Sequence, residues 1–249
     1  MGLDVTFLNF DHIYTQQTRL LNDTNHQWID LTDLEEVNLY CSPEALKQIK
    51  ERLKTLSPPT ITFIGSGNYH YVSYLLLEKI DQPFTLVLFD YHSDCQESPI
   101  LSCGSWVRYA LRQLKQLQQV FLIGVHPQEK ATIRFSPQPP IRMIPCTALQ
   151  QPTFSWLKQI ATEAVYISID KDVLHPSWAC TNWDQGEMSL TLLLSYLEKL
   201  AKVKRIIGLD ICGEWPYHPS GDWTGYRYLQ KNEQANQAIL SRAQEALSA

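Results

Sequence analysis

The chain has 249 residues, of which 44 % are hydrophobic and 19 % charged, a balance that supports one large hydrophobic core. Its formal net charge is -5 with no block of like charges, and this argues against a nucleic-acid partner, whose surface would carry a basic stripe. No apolar run approaches a bilayer span, no basic-then-apolar leader opens the chain, and the six scattered cysteines form no C-x-x-C pair; a cytoplasmic protein with reduced thiols, no membrane partner and no structural zinc is expected.

Short runs rich in β-branched and aromatic residues alternate with stretches of helical spacing. "VTFLNF" (5–10) reads as a strand, and "PEALKQIKERLKTL" (43–56) places Leu46, Ile49, Leu53 and Leu56 on one helix face. "TITFIG" (60–65) is a strand running into a Gly-rich turn, followed by the helix "YVSYLLLEKI" (71–80). "FTLVLFD" (84–90) is a strand, "SWVRYALRQLKQL" (105–117) a helix and "QVFLIGV" (119–125) a strand. The proline-rich "SPQPPIRMIP" (136–145) reads as a surface excursion. "TFSWLKQIA" (153–161) is helical, "AVYISID" (164–170) a strand, "MSLTLLLSYLEKLAK" (188–202) a helix and "VKRIIGLDI" (203–211) a strand; "QKNEQANQAILSRAQEAL" (230–247) closes as a helix. Continuously apolar strands alternating with helices indicate a parallel sheet covered on both faces. One doubly wound α/β sheet accounts for residues 1–249 as a single domain.

In open sheets of this kind, sites form outside the carboxyl ends of the strands. Those ends deliver His70 from "SGNYHY", then Asp90, His92 and Asp94 from "DYHSD", then Asp170 and Asp172 from "SIDKDVLHP", and Asp210 and Glu214 from "LDICGEWP". In extended backbone, residues i and i+2 point to the same side, so Asp90, His92 and Asp94 can reach a common point, and so can Asp170 and Asp172. Carboxylates that face one another repel and take up protons. A pair of divalent cations removes that conflict, and carboxylates with few imidazoles and no thiolate suit manganese among the transition metals. Each piece alone is commonplace: a D-x-H or D-x-D is often a solvated strand end, and a single histidine is often a hydrogen-bonded loop residue. Their meeting at one sheet edge makes a binuclear metal site the better reading.

In this order, "GSGNYH" (65–70), "DYHSD" (90–94), "SIDKDVLHP" (168–176) and "GLDICGEWP" (208–216) resemble the motifs of the ureohydrolase family, which includes arginase, agmatinase and formimidoylglutamase. The resemblance implies a three-layer α/β/α, arginase-like fold with a mainly parallel doubly wound sheet and two Mn2+ per chain, with Ni2+, Fe2+ or Zn2+ as substitutes. By position, one ion would take His70, Asp90, Asp94 and Asp170, and the other His92, Asp90, Asp170 and Asp172, so that Asp90 and Asp170 bridge. The implied activity is hydrolysis of a C–N bond in a guanidino, amidino or related small molecule, by a metal-bridging hydroxide. Asp94, Cys103 and Glu214 would be the catalytic residues, with Glu214 also binding the substrate's positive group. Relatives form trimers or hexamers, so a homo-oligomer is expected.

The departures from the family pattern are local. Cys103 in "SCGSW" stands where the family carries a proton-shuttling histidine, His175 stands where it carries an aspartate, and Glu214 falls one residue late. Trp178, Trp183, Trp215 and Trp223 would wall the pocket. Two other readings compete. A zinc-dependent deacetylase-like amidohydrolase would share the broad fold, but the His-His pair it uses is absent. A metal-binding relative without turnover draws its support from Cys103.

Overall fold

The apolar runs of the sequence become the inner strands of one large sheet. The structure, a computed structural model, describes residues 4–56, 60–129, 140–150, 154–216 and 223–247. In chain order these form β1 (Asp4–Asn9), α1 (Thr18–Asn22), β2 (His26–Asp30), β3 (Tyr40–Cys41), α2 (Pro43–Arg52), β4 (Thr60–Phe63), α3 (Val72–Leu77) and β5 (Phe84–Phe89). β6 (Leu101–Ser102), α4 (Trp106–Gln113), β7 (Leu117–Val125), β8 (Ile141–Pro145), β9 (Ala164–Asp170), α5 (Leu190–Val203), β10 (Arg205–Cys212) and α6 (Trp223–Leu247) follow. Eight strands lie in the order β2-β1-β4-β10-β9-β5-β7-β8, and every neighbouring pair is parallel. β3 and β6 form a separate antiparallel pair.

Helices cover both faces of this sheet, giving three α/β/α layers. Alternation along β5 divides its side chains between two cores. Phe84, Leu86 and Leu88 pack with α2, α3 and α4, whereas Val87 and Phe89 pack with α5 and α6. The helices begin where the local chemistry allows. Ser42 caps α2 by accepting from the Ala45 amide, with Pro43 in the first turn, and Ser189 caps α5 by accepting from the Leu192 amide. Leu193, Tyr196, Leu197 and Leu200 form the buried stripe of α5; truncating Leu197 to alanine would cost roughly 2–5 kcal/mol.

The structure departs from the sequence expectations at the sheet edges and in the connections. The proline-rich stretch is not wholly an excursion: its residues 136–139 lie outside the described residues, and Ile141–Pro145 is the edge strand β8. An edge tolerates Pro145 because one side of its backbone needs no ladder partner. The helix expected over 153–161 is a 3-10 turn over Ser155–Gln159, a form used for short connecting pieces. β2, β3 and β6 are additional, and α6 starts earlier than expected.

Strand order and register together fix the site. β4, β10, β9 and β5 are adjacent. Phe89 pairs with Ile169, so Asp90 stands level with Asp170, and Asp170 pairs with Cys212 on the other side. The three side chains that follow or end these strands therefore sit in one row at the sheet's carboxyl edge.

Candidate metal centre

His70, Asp90, His92, Asp94, Asp170 and Asp172 converge above that row. His70 Nδ1 lies 3.3 Å from Asp90 Oδ2, 3.1 Å from Asp94 Oδ2 and 3.5 Å from Asp170 Oδ2. His92 Nδ1 lies 2.7 Å from Asp172 Oδ2 and 3.6 Å from Asp90 Oδ1. Asp90 thus turns one oxygen to each histidine. Its Oδ2 is buried and has no hydrogen-bond partner among the described residues. The donor atoms of His70, Asp90 and Asp94 lie within 4.8 Å of one another, as do those of Asp90, His92 and Asp172.

Local backbone and neighbouring side chains aim these groups. The His92 amide donates to Asp90 Oδ1 at 2.6 Å, the Tyr91 amide to Asp172 Oδ1 at 2.9 Å, and the Asp172 amide to Asp170 Oδ1 at 2.9 Å. Asp94 has a left-handed backbone (φ 50°), and the indole of Trp106 donates to its Oδ2 at 2.6 Å. A left-handed aspartate is uncommon and is held here by its surroundings. His70 follows a 3-10 turn over Gly67–Tyr69, capped by Ser66. Gly67 is needed there, because a Cβ would stand 2.9 Å from Asp170 Oδ2. Gly213 (φ +86°) has a similar role, since its Cβ would come within 2.4 Å of Asp170 Oδ1.

Burial is the largest cause of the electrostatic state. It raises Asp90, Asp94 and Asp170 above the usual carboxylate range, with Asp94 adding to the rise at Asp90 and Asp172 to that at Asp170. Burial, and then the charge of Asp90, push Asp172 up to about 7. Burial works against charge on His92, but its bonds to Asp172 and Asp90 outweigh it and push the imidazole up to about 12. All these shifts have one meaning: without cations, the cluster holds protons that the same groups would release in water. Among the described residues the ion-pair partners of these four carboxylates are the two imidazoles.

The cluster floors a cleft of about 190 Å³, lined also by Leu39, Tyr40, Gln96, Cys103 and Trp183. Trp183 stands edge-on to His92 with ring centroids 5.7 Å apart, and its indole donates to Asn68 Oδ1 at 2.9 Å. The other tryptophans do not wall this cleft. Trp178 and Trp223 are exposed, and Trp215 packs on Tyr228. Cys103 is half-buried in the cleft wall, and burial pushes its thiol up to about 12.

Two expected rim carboxylates lie elsewhere. Asp210 is fully buried, because β10 continues to Cys212 and carries Asp210 inside the sheet edge. There its Oδ1 accepts from Ser168 at 2.7 Å and from Ser73 at 3.0 Å, and Ser168 in turn meets His70 Nε2 at 3.0 Å. Glu214, expected to bind substrate, does not reach the cleft. It is fully buried behind Asp170, in an ion pair with Lys171. Gln17 donates to Glu214 Oε2 at 2.8 Å, Asn232 donates to the same oxygen at 3.2 Å, and Asn236 donates to Oε1 at 2.6 Å. The physical reason is the 3-10 turn over Lys171–Val173 that follows β9: Asp170 and Asp172 line the cleft, and Lys171 between them is buried against Glu214. Lys171, Trp106 and Cys212 are the neighbours that sequence reasoning missed. For Lys171 the contact depends on the turn after β9, and for Trp106 and Cys212 on packing and register.

Residues 9–224 match the arginase family. Over 238 residues the chain is 34 % identical to a Thermotoga maritima protein described as uncharacterized, covering 95 % of this chain and 88 % of that one. Its structure is similar to that of proclavaminate amidino hydrolase from Streptomyces clavuligerus, with a TM-score of 0.68 at 14 % identity, covering 99 % of this chain and 93 % of that one. It is also similar to agmatine ureohydrolase of Thermoplasma volcanium, with a TM-score of 0.66 at 13 % identity, covering 97 % and 90 %.

Proposed function

The chain belongs to the arginase family, and from that premise we propose that it is a two-metal hydrolase of a C–N bond in a guanidino, amidino or related small molecule. One observation carries this reading. Asp90 turns its two oxygens to two different histidines, 3.3 and 3.6 Å away, and one of those oxygens is buried without a hydrogen-bond partner. A single bound cation would use one side of that carboxylate; two would use both.

The donor set fits two divalent ions. His70, Asp90, Asp94 and Asp170 would hold one, and His92, Asp90, Asp170 and Asp172 the other. Four carboxylates then balance two dications, which offsets the burial and mutual repulsion that raise these groups. Oxygen-rich ligation with two imidazoles favours manganese, with nickel, iron and zinc as competitors. When bound, such a pair lowers the pKa of water toward neutrality and polarises the bond to be cleaved.

The remaining roles belong to the chain's own side chains. Trp106 holds Asp94 by its indole N–H, which fixes a carboxylate at the floor of the cleft. Cys103 is a titratable group of the cleft wall outside the ligand set. Held as a neutral thiol, it can give a proton to a departing amine and recover it from solvent. Trp183 and Tyr40 offer aromatic surface to the substrate. Glu214 takes no part in binding substrate in this reading, because its carboxylate is enclosed with Lys171. The small-molecule substrate, the cytoplasmic setting and a homo-oligomeric assembly belong to the same proposal.

The test is a screen of guanidino, amidino, formimino and amide compounds for urea or ammonia release, with and without added manganese. Metal-dependent release from at least one class is expected. Cys103→Ser should then lower turnover by about 100-fold with metal content unchanged. Two bound ions with no release from any class would make the chain a metal-binding relative without turnover. No bound ion would end the two-metal reading.

A further inference from the structure

We propose that Cys212 is an additional ligand of the metal centre, a thiolate that joins His70 and Asp170 and draws the site toward softer divalent ions. The proposal rests on the two-metal reading above. Cys212 ends β10 in register with Asp170 and is fully buried. Its Sγ donates to Asp170 Oδ2 at 3.1 Å. The donor atoms of His70, Asp170 and Cys212 lie within 4.8 Å of one another, the same closeness found in the two carboxylate–histidine groups. The sulfur therefore belongs to the convergent set by distance, although the amino-acid pattern alone suggested a centre without thiolate.

A second observation points to a ligand at the same place. The unpartnered Asp90 Oδ2 is buried and lies 3.3 Å from His70 Nδ1, the imidazole atom that also faces Asp170 Oδ2 at 3.5 Å. The opposite edge of that imidazole is already engaged. Ser168 donates to Asp210, so it is left to accept from His70 Nε2–H. This fixes the tautomer with the Nδ1 lone pair directed into the cluster, as outer partners do for metal-binding histidines. Asp210 and Cys212 are two residues apart on β10 and share a face, so one strand both orients the imidazole and supplies the sulfur. Gly213 permits the close approach, since any Cβ there would meet Asp170 Oδ1.

On binding, the sulfur–hydrogen bond breaks, a metal–sulfur bond forms, and the proton leaves to solvent. The S–H hydrogen bond to Asp170 is lost, which frees that oxygen for the ion. Thiolate ligation favours zinc, iron(II) or cobalt over manganese more than an oxygen and nitrogen set does. The alternative is a small buried thiol that only hydrogen-bonds Asp170.

Cobalt separates the two. Wild-type protein loaded with Co2+ should show the visible bands of bound cobalt and, in the near ultraviolet, a thiolate-to-cobalt charge-transfer band. Cys212→Ser should abolish the charge-transfer band, and Cys103→Ser should keep it. The preference for zinc over manganese should fall by about tenfold or more in Cys212→Ser. If that variant does not fold, zinc-edge X-ray absorption of the Cys103→Ser protein decides, with a sulfur scatterer expected at about 2.3 Å. Visible cobalt bands without charge transfer, or a zinc edge with only oxygen and nitrogen neighbours, would overturn the proposal and leave the two-metal reading in place. A charge-transfer band lost in Cys103→Ser and retained in Cys212→Ser would overturn it as well. No cobalt uptake with two manganese ions still bound would overturn the proposal alone, and no uptake of either ion would overturn both.

Discussion

The two sides of the β9 terminus treat buried charge in opposite ways. On one side Glu214 meets the ammonium of Lys171 and the amides of Gln17, Asn232 and Asn236, so the negative charge is answered within the chain. On the other side Asp90, Asp94, Asp170 and Asp172 face two imidazoles and one another, and burial raises all four. Both regions bury their carboxylates. The difference is the source of the cation: Lys171 is internal, while in the proposed function the cleft receives its cations from outside. Buried carboxylates alone therefore do not mark a metal site; the proposal rests on several that converge with two imidazoles and, among the described residues, no internal Lys or Arg.

The largest effect that could break this comparison is expected from Asp90→Ala. Removing the carboxylate that faces both histidines should take the bound metal from two ions per chain to nearly none, with loss of any metal-dependent activity. His92→Ala touches one group only and should leave one ion at reduced affinity. Elemental analysis and thermal denaturation with and without manganese check both. Retention of two ions by Asp90→Ala would return Asp90, His92 and Asp94 to the status of an ordinary strand end.

The self-neutralised side is tested by Lys171→Met. It leaves Glu214 buried without its counter-charge, which costs roughly 3–5 kcal/mol. Lys171→Met combined with Glu214→Gln should recover most of the loss, because the uncompensated charge is then gone. Urea denaturation measures both. A single substitution costing no more than a surface change, about 0.5 kcal/mol, would contradict the internal-cation account.

A smaller effect concerns pH. The cleft aspartates are raised relative to the unfolded chain, so the folded state binds more protons than the unfolded one. Stability of the metal-free protein is then fully present below about pH 4 as far as these groups contribute. It should fall as pH rises through about 7, where Asp172 releases its proton. His92, also raised, adds a loss of the same sign at higher pH. Metal should reverse the trend, because ligands must be deprotonated to bind and the gain from manganese grows with pH. Melting temperatures across this range, with chelator and with manganese, should diverge as pH rises. Parallel curves would mean that the cleft carboxylates do not bind the ion.

How much of this the sequence disclosed follows from which contacts are local. β5 and β9 were legible because strands buried on both faces read as continuous apolar runs. β2 and β8 were not: at the sheet edges, the half-exposed "HQWID" and the proline-bounded "IRMIP" carry no such run. Five of the six cleft side chains were legible from i, i+2 spacing at strand ends, and His70 from the Gly-rich turn that follows its strand. Asp210 is not at the rim because it pairs with Ser168, two residues before the end of β9, which puts it inside the sheet edge, linked to His70 through Ser168. Glu214 was misread for a similar reason. Its partner Lys171 lies 43 residues earlier, and only the parallel pairing of β9 with β10 brings the two together. The nearness of Cys212 to His70 also depends on that register, which no local pattern encodes.

The central claim is that the cleft side of β9 receives two cations from solution. Metal content after manganese loading and removal of excess ion, measured per chain on the unmodified protein, tests it most directly. The account predicts a value that saturates at two. Saturation at one, or no retained metal, would contradict it.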